Sequence, residues 1–221
     1  MALRKQMLES FDIDTVLDVG ANSGQFARAL RREAGYTGRI ISFEPLSAAY
    51  ELLKENAEGD PAWEVFNLAI GDIEGKREMN IAGNSYSSSL LTMLPSHVKS
   101  APDSGYIGKE LISVSTLDSL FEDIRSKAKN VYMKIDTQGF ESRVLNGAEK
   151  SLAYIDTIEM EMALIPLYDG EVLFNDMCLR MSDKGYTLVA IENEFSDPAS
   201  GQLLQVDGIF HRFVGPGRAI P

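Results

Sequence analysis

Val16-Leu17-Asp18-Val19-Gly20-Ala21-Asn22-Ser23-Gly24-Gln25-Phe26 decides how the rest of the chain is read. An apolar run with one acidic residue inside it stops at a glycine, a polar turn follows, and a helical pattern begins. Short apolar runs are what strands buried on both faces look like, and a tight strand-to-helix turn needs glycine where the backbone bends or a ligand comes close. Downstream, Ile40-Ile41-Ser42-Phe43-Glu44-Pro45 is a second apolar strand that ends on a carboxylate. Two such strands with a helix between them form the first half of a nucleoside-binding α/β crevice.

The chain around this core has 221 residues, 44% hydrophobic and 24% charged, which suits one domain over 1–221 with a full core and no staples. Its net charge of −12 argues against a nucleic-acid partner, since phosphate binding needs a basic footprint. The single cysteine, Cys178, permits no internal disulfide and suits a reducing compartment. It falls in the apolar pattern Leu173, Phe174, Met177, Cys178, Met181, as a packed thiol does. Met1 to Gln6 has no long apolar stretch behind its basic pair, and no run approaches the ~20 apolar residues that span a bilayer. The expectation is a soluble, cytoplasmic protein with no membrane partner.

Taken in order, residues 1–14 read as a leading helix and turn. Thr15–Val19 is the first strand and Gly24–Ala34 a helix with Phe26, Ala27, Leu30 and Ala34 at helical spacing, closed by Gly35. Arg39–Glu44 is a strand, Pro45 opens a second helix, and Trp63–Ile70 is the third strand. Lys76–Ile81 follows as an edge strand. The stretch 83–109 is rich in Ser, Gly, Asn and Pro, reads as a mobile segment, and is the expected substrate loop. Beyond it come a strand at Glu110–Ser115, a helix at Leu117–Ile124, a strand at Val131–Ile135 and a helix at Glu141–Lys150. Thr157–Met162 is a strand and Val172–Lys184 a helix. Tyr186–Ile191 and Val206–Phe213 are the last two strands, and 214–221 is a loose tail. Strand and helix alternate until that final pair, which predicts a mostly parallel sheet covered on both faces with an antiparallel strand near the end.

The turn after the first strand separates two ligand classes. Pyrophosphate cofactors favour G-x-G-x-x-G, whose second glycine lets phosphates touch backbone. Here the three positions hold Gly20, Asn22 and Gln25, so that approach is obstructed. An adenosine ligand without phosphates, such as S-adenosylmethionine, needs only the bend at Gly20 and room at Gly24. Asp18 and Glu44 offer an acidic wall to its ammonium and sulfonium, Glu44 can accept both ribose hydroxyls, and Asp72 can accept from the adenine amino group.

With those residues assembled, the chain resembles the FkbM family of S-adenosylmethionine-dependent methyltransferases. Leu17-Asp18-Val19-Gly20-Ala21-Asn22-Ser23-Gly24 is similar to the family's first motif and Phe43-Glu44-Pro45 to its second. Ala69-Ile70-Gly71-Asp72, Lys134-Ile135-Asp136 with Gly139 and Glu141, and Val206-Asp207-Gly208-Ile209-Phe210 fall in family order. One position departs: the residue before Gly139, commonly acidic in the family, is Gln138. The resemblance implies a class I, Rossmann-like sheet of seven strands, S-adenosyl-L-methionine as cofactor, and methyl transfer to an oxygen of a sugar or secondary metabolite.

Methyl transfer is an in-line displacement, so positioning is the enzyme's main task, and a hydroxyl acceptor must also lose its proton. Asp136, at the carboxyl end of its strand, is the first candidate for a base or acceptor-positioning group, and Glu161 is the second. Glu159 shares a sheet face with Glu161. Lys134 is expected to pair with a glutamate, and Glu141 is read equally as a helix cap and a site residue. No compact metal-ligand spacing is present, so no metal is expected. His97 sits in the 83–109 segment and would reach the site only if that segment closed, while His211 lies on the last strand. Tyr86 and Ser87-Ser88-Ser89 are candidates for acceptor hydroxyls. The partner is then a small or glycosylated acceptor. The rival readings are a nicotinamide-dependent oxidoreductase and a non-catalytic nucleoside-binding module.

Overall fold

The computed structural model describes residues 1–213, so the tail read at 214–221 lies outside the described residues. The apolar runs form strands that stack side by side. Helix α1 (Ala2–Ser10) leads into β1 (Thr15–Val19), then α2 (Gln25–Ala29), β2 (Arg39–Phe43), α3 (Ser47–Ala57) and β3 (Trp63–Phe66). β4 (Ala69–Ile70), β5 (Gly75–Ala82), α4 (Pro95–Ser100) and β6 (Tyr106–Ser115) follow. The second half contains α5 (Leu117–Arg125), β7 (Val131–Ile135), α6 (Glu141–Asn146), β8 (Thr157–Ala163), α7 (Phe174–Asp183), β9 (Thr187–Ser196) and β10 (Leu203–His211).

Seven strands make one sheet in the order β3-β2-β1-β7-β8-β10-β9. Neighbours from β3 to β8 are parallel, and β10 runs antiparallel to both β8 and β9. The strand order reverses where β1 sits between β2 and β7, and the crevice at the carboxyl ends of those strands is where such a sheet takes its ligand. Leu17, Val19, Met133, Ile135, Ile158 and Met160 face α5, α6 and α7. Val16, Ile40 and Tyr132 face α1, α2 and α3.

The face under α1 to α3 also carries a polar stripe. Ser42, Asp18, Lys134 and Glu159 are register partners across β2, β1, β7 and β8. Glu159 is fully buried, and it accepts from the guanidinium of Arg4 on α1 and from the Tyr132 hydroxyl. Arg4 also reaches Glu192 and, at 3.2 Å, Asp207. One arginine therefore ties α1 to β8, β9 and β10.

Two expectations need correction. The strand read over Trp63–Ile70 is two strands in different sheets. Asn67 Nδ2 donates to the carbonyls of Glu44 and Pro45 at 3.0 Å each, which turns the chain, and Ala69–Ile70 leaves to pair with β6. β4, β6 and β5 form a separate three-stranded sheet, and Lys76–Ile81, within β5, is an edge strand of it. The 83–109 segment is also not a structureless lid. It contains α4, a 3₁₀ turn at Pro102–Ser104 and the start of β6, and Ser87, Ser88, Ser89, His97 and Ser104 within it are buried. Its polar residues pair within it and with the scaffold: Asn84 and Ser87 exchange hydrogen bonds, the Tyr106 hydroxyl donates to the Leu91 carbonyl, Ser89 and Asn80 of β5 exchange backbone hydrogen bonds, and Ser89 Oγ donates to the Gln138 carbonyl. The helix read to Ala34 ends in a π-helical turn at Leu30–Ala34, closed by Gly35 as expected. Among the described residues no helix is long and apolar enough to cross a membrane.

Candidate active site

The β1–α2 turn is built around two close contacts. Gly20 has φ +83°, and a Cβ there would stand 1.8 Å from the Asp136 carbonyl oxygen. The backbones of β1 and β7 therefore touch where the crevice opens. Two residues on, the Asn22 amide donates to Glu44 Oε2 at 2.8 Å, and the Leu46 amide donates to Glu44 Oε1 at 2.8 Å. The carboxylate is thus fixed at the end of β2, 5% exposed, with a free lone pair on each oxygen. Burial pushes Glu44 up to about 7, against the pull of these two amides.

Glu44, Gly20 and Asn22 line one end of a cavity of about 310 Å³. Val19, Phe43, Leu46, Ile70 and Phe140 supply an apolar wall of the kind that holds a planar base. Three predicted residues do not reach it. Asp18 is fully buried in the polar stripe, where Ser42 Oγ donates to Oδ2 at 3.1 Å and Oδ1 has no hydrogen-bond partner. Burial pushes it up to about 6, against the Lys134 charge. Side chains alternate along a strand, so with Val19 on the wall, Asp18 points to the opposite face. Gly24 begins α2 with φ +83°, and a Cβ there would lie 2.9 Å from Leu53 and Trp63: its small size serves packing under α3. Asp72 follows β4 out of the main sheet, and its Oδ2 accepts from Arg143 Nη1 at 3.0 Å.

The other end of the cavity lies at β7 and β8. Asp136 Oδ2 accepts from Lys134 Nζ at 2.8 Å, so the lysine pairs with an aspartate rather than the expected glutamate. Gln138, with φ 55°, turns its amide into the gap between two carboxylates. Its Nε2 donates to Asp136 Oδ1 at 3.0 Å and to Glu161 Oε2 at 2.8 Å, while its Oε1 accepts from the Tyr168 hydroxyl at 2.8 Å. Burial works against ionised Asp136, but the Lys134 ammonium and the Gln138 amide outweigh it and hold the carboxyl below its ordinary range. Glu161 is driven well above the ordinary range, first by burial and then by the charge of Asp136. Glu141 is turned away from this pair and accepts from the amides of Thr137 and Gly139 at 2.9 and 3.2 Å, so it closes the turn on which Gln138 sits.

Asp136, Gln138 and Glu161 share the cavity with Tyr86, Ser87, Ser88 and His97 from the polar segment, and with Glu194, Phe195 and Gln205 from β9 and β10. His97 is already on the wall without any closure. His211 is elsewhere, its Nδ1 2.8 Å from Thr157 Oγ1 and its ring stacked on Phe11. Gln138, Tyr168, Glu194 and Gln205 are the residues that sequence reading missed. For Gln138 a signal existed, since it is the one departure from the family motif. Among the described residues no cluster of His, Cys, Asp and Glu is arranged to hold a metal ion.

A parallel sheet reversed at β1 and an antiparallel penultimate strand in space give the chain the class I, Rossmann-like methyltransferase fold, with a carboxylate clamped at the end of β2. The model of the methyltransferase FkbM domain matches residues 18–188, and the chain belongs to that family. Among solved structures, the FkbM methyltransferase of Methylobacillus flagellatus superposes with a TM-score of 0.52 at 14% identity. The match covers 89% of this chain and 44% of that one, so this chain spans less than half of that relative. An rRNA methylase of Streptococcus thermophilus gives a TM-score of 0.52 at 8% identity over 96% of this chain and 95% of that one. TehB of Haemophilus influenzae gives 0.50 at 9% identity over 96% and 62%. At these identities the likeness is one of fold. No curated protein matches the chain in sequence.

Proposed function

We propose that this protein transfers a methyl group from S-adenosyl-L-methionine to a hydroxyl of a small or glycosylated acceptor. The observation that carries this reading is that one cavity is lined both by Gly20, Asn22 and Glu44 and by Asp136, Gln138 and Glu161. The donor set suits the cofactor: Glu44 offers lone pairs to ribose hydroxyls, and the apolar wall suits adenine. Among the described residues no Lys or Arg lines the cavity, which disfavours a pyrophosphate or a phosphorylated acceptor there. The bound cofactor supplies an activated methyl on sulfur. The chain's own task is to hold the acceptor oxygen in line, and Asp136 and Glu161 stand where they can accept hydrogen bonds from acceptor hydroxyls. The net charge of −12 supports an acceptor other than a nucleic acid, and the single cysteine suits a cytoplasmic setting.

Calorimetric titration tests the reading. S-adenosylhomocysteine is expected to bind saturably and NAD not at all, whereas the reverse pattern would replace methyl transfer with hydride transfer. Glu44→Ala is expected to weaken S-adenosylhomocysteine about 10–100-fold, the worth of hydrogen bonds to a charged acceptor; an unchanged Kd removes Glu44 from the ribose site. With an acceptor found by mass-spectrometric methyl gain, Asp136→Asn is expected to depress turnover more than cofactor affinity. Equal turnover would take Asp136 out of the mechanism.

A further inference from the structure

We propose that His97 Nε2 takes the acceptor's hydroxyl proton, an assignment that rests on the methyl-transfer reading above. It follows from counting protons on the groups around the ring. Ser104 Oγ lies 2.9 Å from His97 Nδ1 and 2.6 Å from the Ala101 carbonyl. A hydroxyl has one proton, and the carbonyl can only accept, so the Ser104 proton goes to Ala101 and its oxygen accepts from the ring. Nδ1 therefore carries the imidazole proton, and Nε2 presents a lone pair.

The neighbour of Nε2 is the Tyr168 hydroxyl at 3.3 Å. That hydroxyl has a shorter bond to Gln138 Oε1 at 2.8 Å. The Gln138 amide is oriented by Asp136, because reversing it would turn its oxygen toward a carboxylate held ionised by Lys134. Tyr168 thus spends its proton on Gln138. Nε2 is left as an acceptor beside the Tyr168 hydroxyl, in a ring that belongs to the cavity lining and is only 3% exposed.

The two carboxylates are worse placed to take a proton. Both oxygens of Asp136 are held by donors, Lys134 and Gln138, and Glu161 shares the same amide. Burial lowers the His97 imidazole from its ordinary value, so it stands neutral at neutral pH. The titratable groups on its own helix and on the segments next to it are Lys99, Asp103, Tyr106, Tyr168, Glu194 and Asp197, and among the described residues no carboxylate bonds the ring. In the reaction the acceptor oxygen forms a bond to the methyl carbon, the carbon–sulfur bond breaks with its pair returning to sulfur, and the hydroxyl proton passes to Nε2. Asp136 and Glu161 then orient hydroxyls, and the Ser104–His97 bond sets which nitrogen faces them.

The test uses the whole protein with ¹⁵N-labelled histidine. NMR is expected to show His97 protonated at Nδ1 and bare at Nε2 at neutral pH, free and with S-adenosylhomocysteine bound, with His97→Gln assigning its signals against those of His211. A proton on Nε2 overturns the assignment. Against an acceptor found by methyl gain, His97→Gln is expected to lower kcat about 10²–10⁴-fold and to lose the acid limb of the pH profile, while the S-adenosylhomocysteine Kd stays within about twofold. An undiminished kcat overturns the role of His97 alone; a wild-type protein that fails to bind S-adenosylhomocysteine overturns the methyl-transfer reading itself. If His97→Gln does not fold, Ser104→Ala decides: it should release the ring to a mixture of tautomers, and an unchanged Nδ1–H population would refute the part given to Ser104.

Discussion

Gly20→Ala is expected to unfold a large share of the protein's stability and to abolish cofactor binding. The added Cβ would sit 1.8 Å from the Asp136 carbonyl oxygen and 2.8 Å from its carbon, and both are backbone atoms that cannot swing aside. The φ of +83° adds strain for any L side chain. To relieve the clash β1 and β7 must part at their carboxyl ends, where Val19 and Ile135 are paired in register and the Asp136 amide donates to the Val19 carbonyl at 2.9 Å. A cost above about 3 kcal/mol is the scale of such overpacking with backbone strain. Gly35→Ala is the control: its φ of +69° carries the same conformational penalty, but nothing lies within 4 Å of the added carbon. It is expected to cost about 1–2 kcal/mol and to leave the cavity alone. Denaturant midpoints and S-adenosylhomocysteine titrations read both effects. Equal losses for the two variants would show that the close approach to Asp136 does not matter.

The second large effect is expected from Arg4→Met. The arginine is the cation that Glu159, Glu192 and Asp207 share, and Glu159 is fully buried. Without it the Glu159 carboxylate keeps, among the described residues, only the Tyr132 hydroxyl as a hydrogen-bond partner. Removing one partner of a buried ion pair typically costs about 3–5 kcal/mol. The loss should depend on pH with a definite sign. Burial, followed by the charge of Glu159, already raises Asp207 from 3.8 to about 7, and losing Arg4 can only raise its folded value further. A carboxyl raised in the folded state adds stability below its unfolded pKa and loses it as pH climbs through the folded value. The deficit of Arg4→Met should therefore be smallest near pH ~4 and widen toward pH ~8. Adding Glu159→Gln should recover part of it at the upper end. A deficit that stays constant across this range would mean that Arg4 acts through packing and not through charge.

Much of this was legible because local chemistry decides it. The glycine at the end of β1, the carboxylate at the end of β2 and Asp136 at the end of β7 are strand-terminal residues, and an apolar run shows its end in sequence. What was not legible depends on partners far along the chain. The break between β3 and β4 is made by an Asn67 amide reaching back to Glu44 and Pro45. Asp72 is claimed by Arg143, and Lys134 chooses Asp136 over a glutamate. Asp18 was misplaced for another reason: β1 is buried on both faces, so its composition does not say which side of the sheet a residue takes. The polar segment misled most, because serine and asparagine that bond one another and bury themselves have the same composition as a loose loop. His97 entered the site through that segment, and only the order of its hydrogen bonds reveals what its ring can do.

The way that segment is attached has its own consequence. It leaves the small sheet at Ala82 and returns at Tyr106, which are register partners, and the Gly83 amide donates to the Gly105 carbonyl at 3.0 Å. Exit and entry are one point on the scaffold. Lengthening a chain between ends already held together costs only about 0.6 kcal/mol per doubling. The piece that carries His97, Ser104 and the serine run is in effect a cassette plugged into a hairpin, whereas Gly20 and Glu44 belong to the chassis. Under the proposed reading, exchanging the cassette would alter the acceptor side of the cavity while β1 and β2 keep Gly20 and Glu44 in place, with the Asn22 to Ser85 hydrogen bond as the point where the two parts meet.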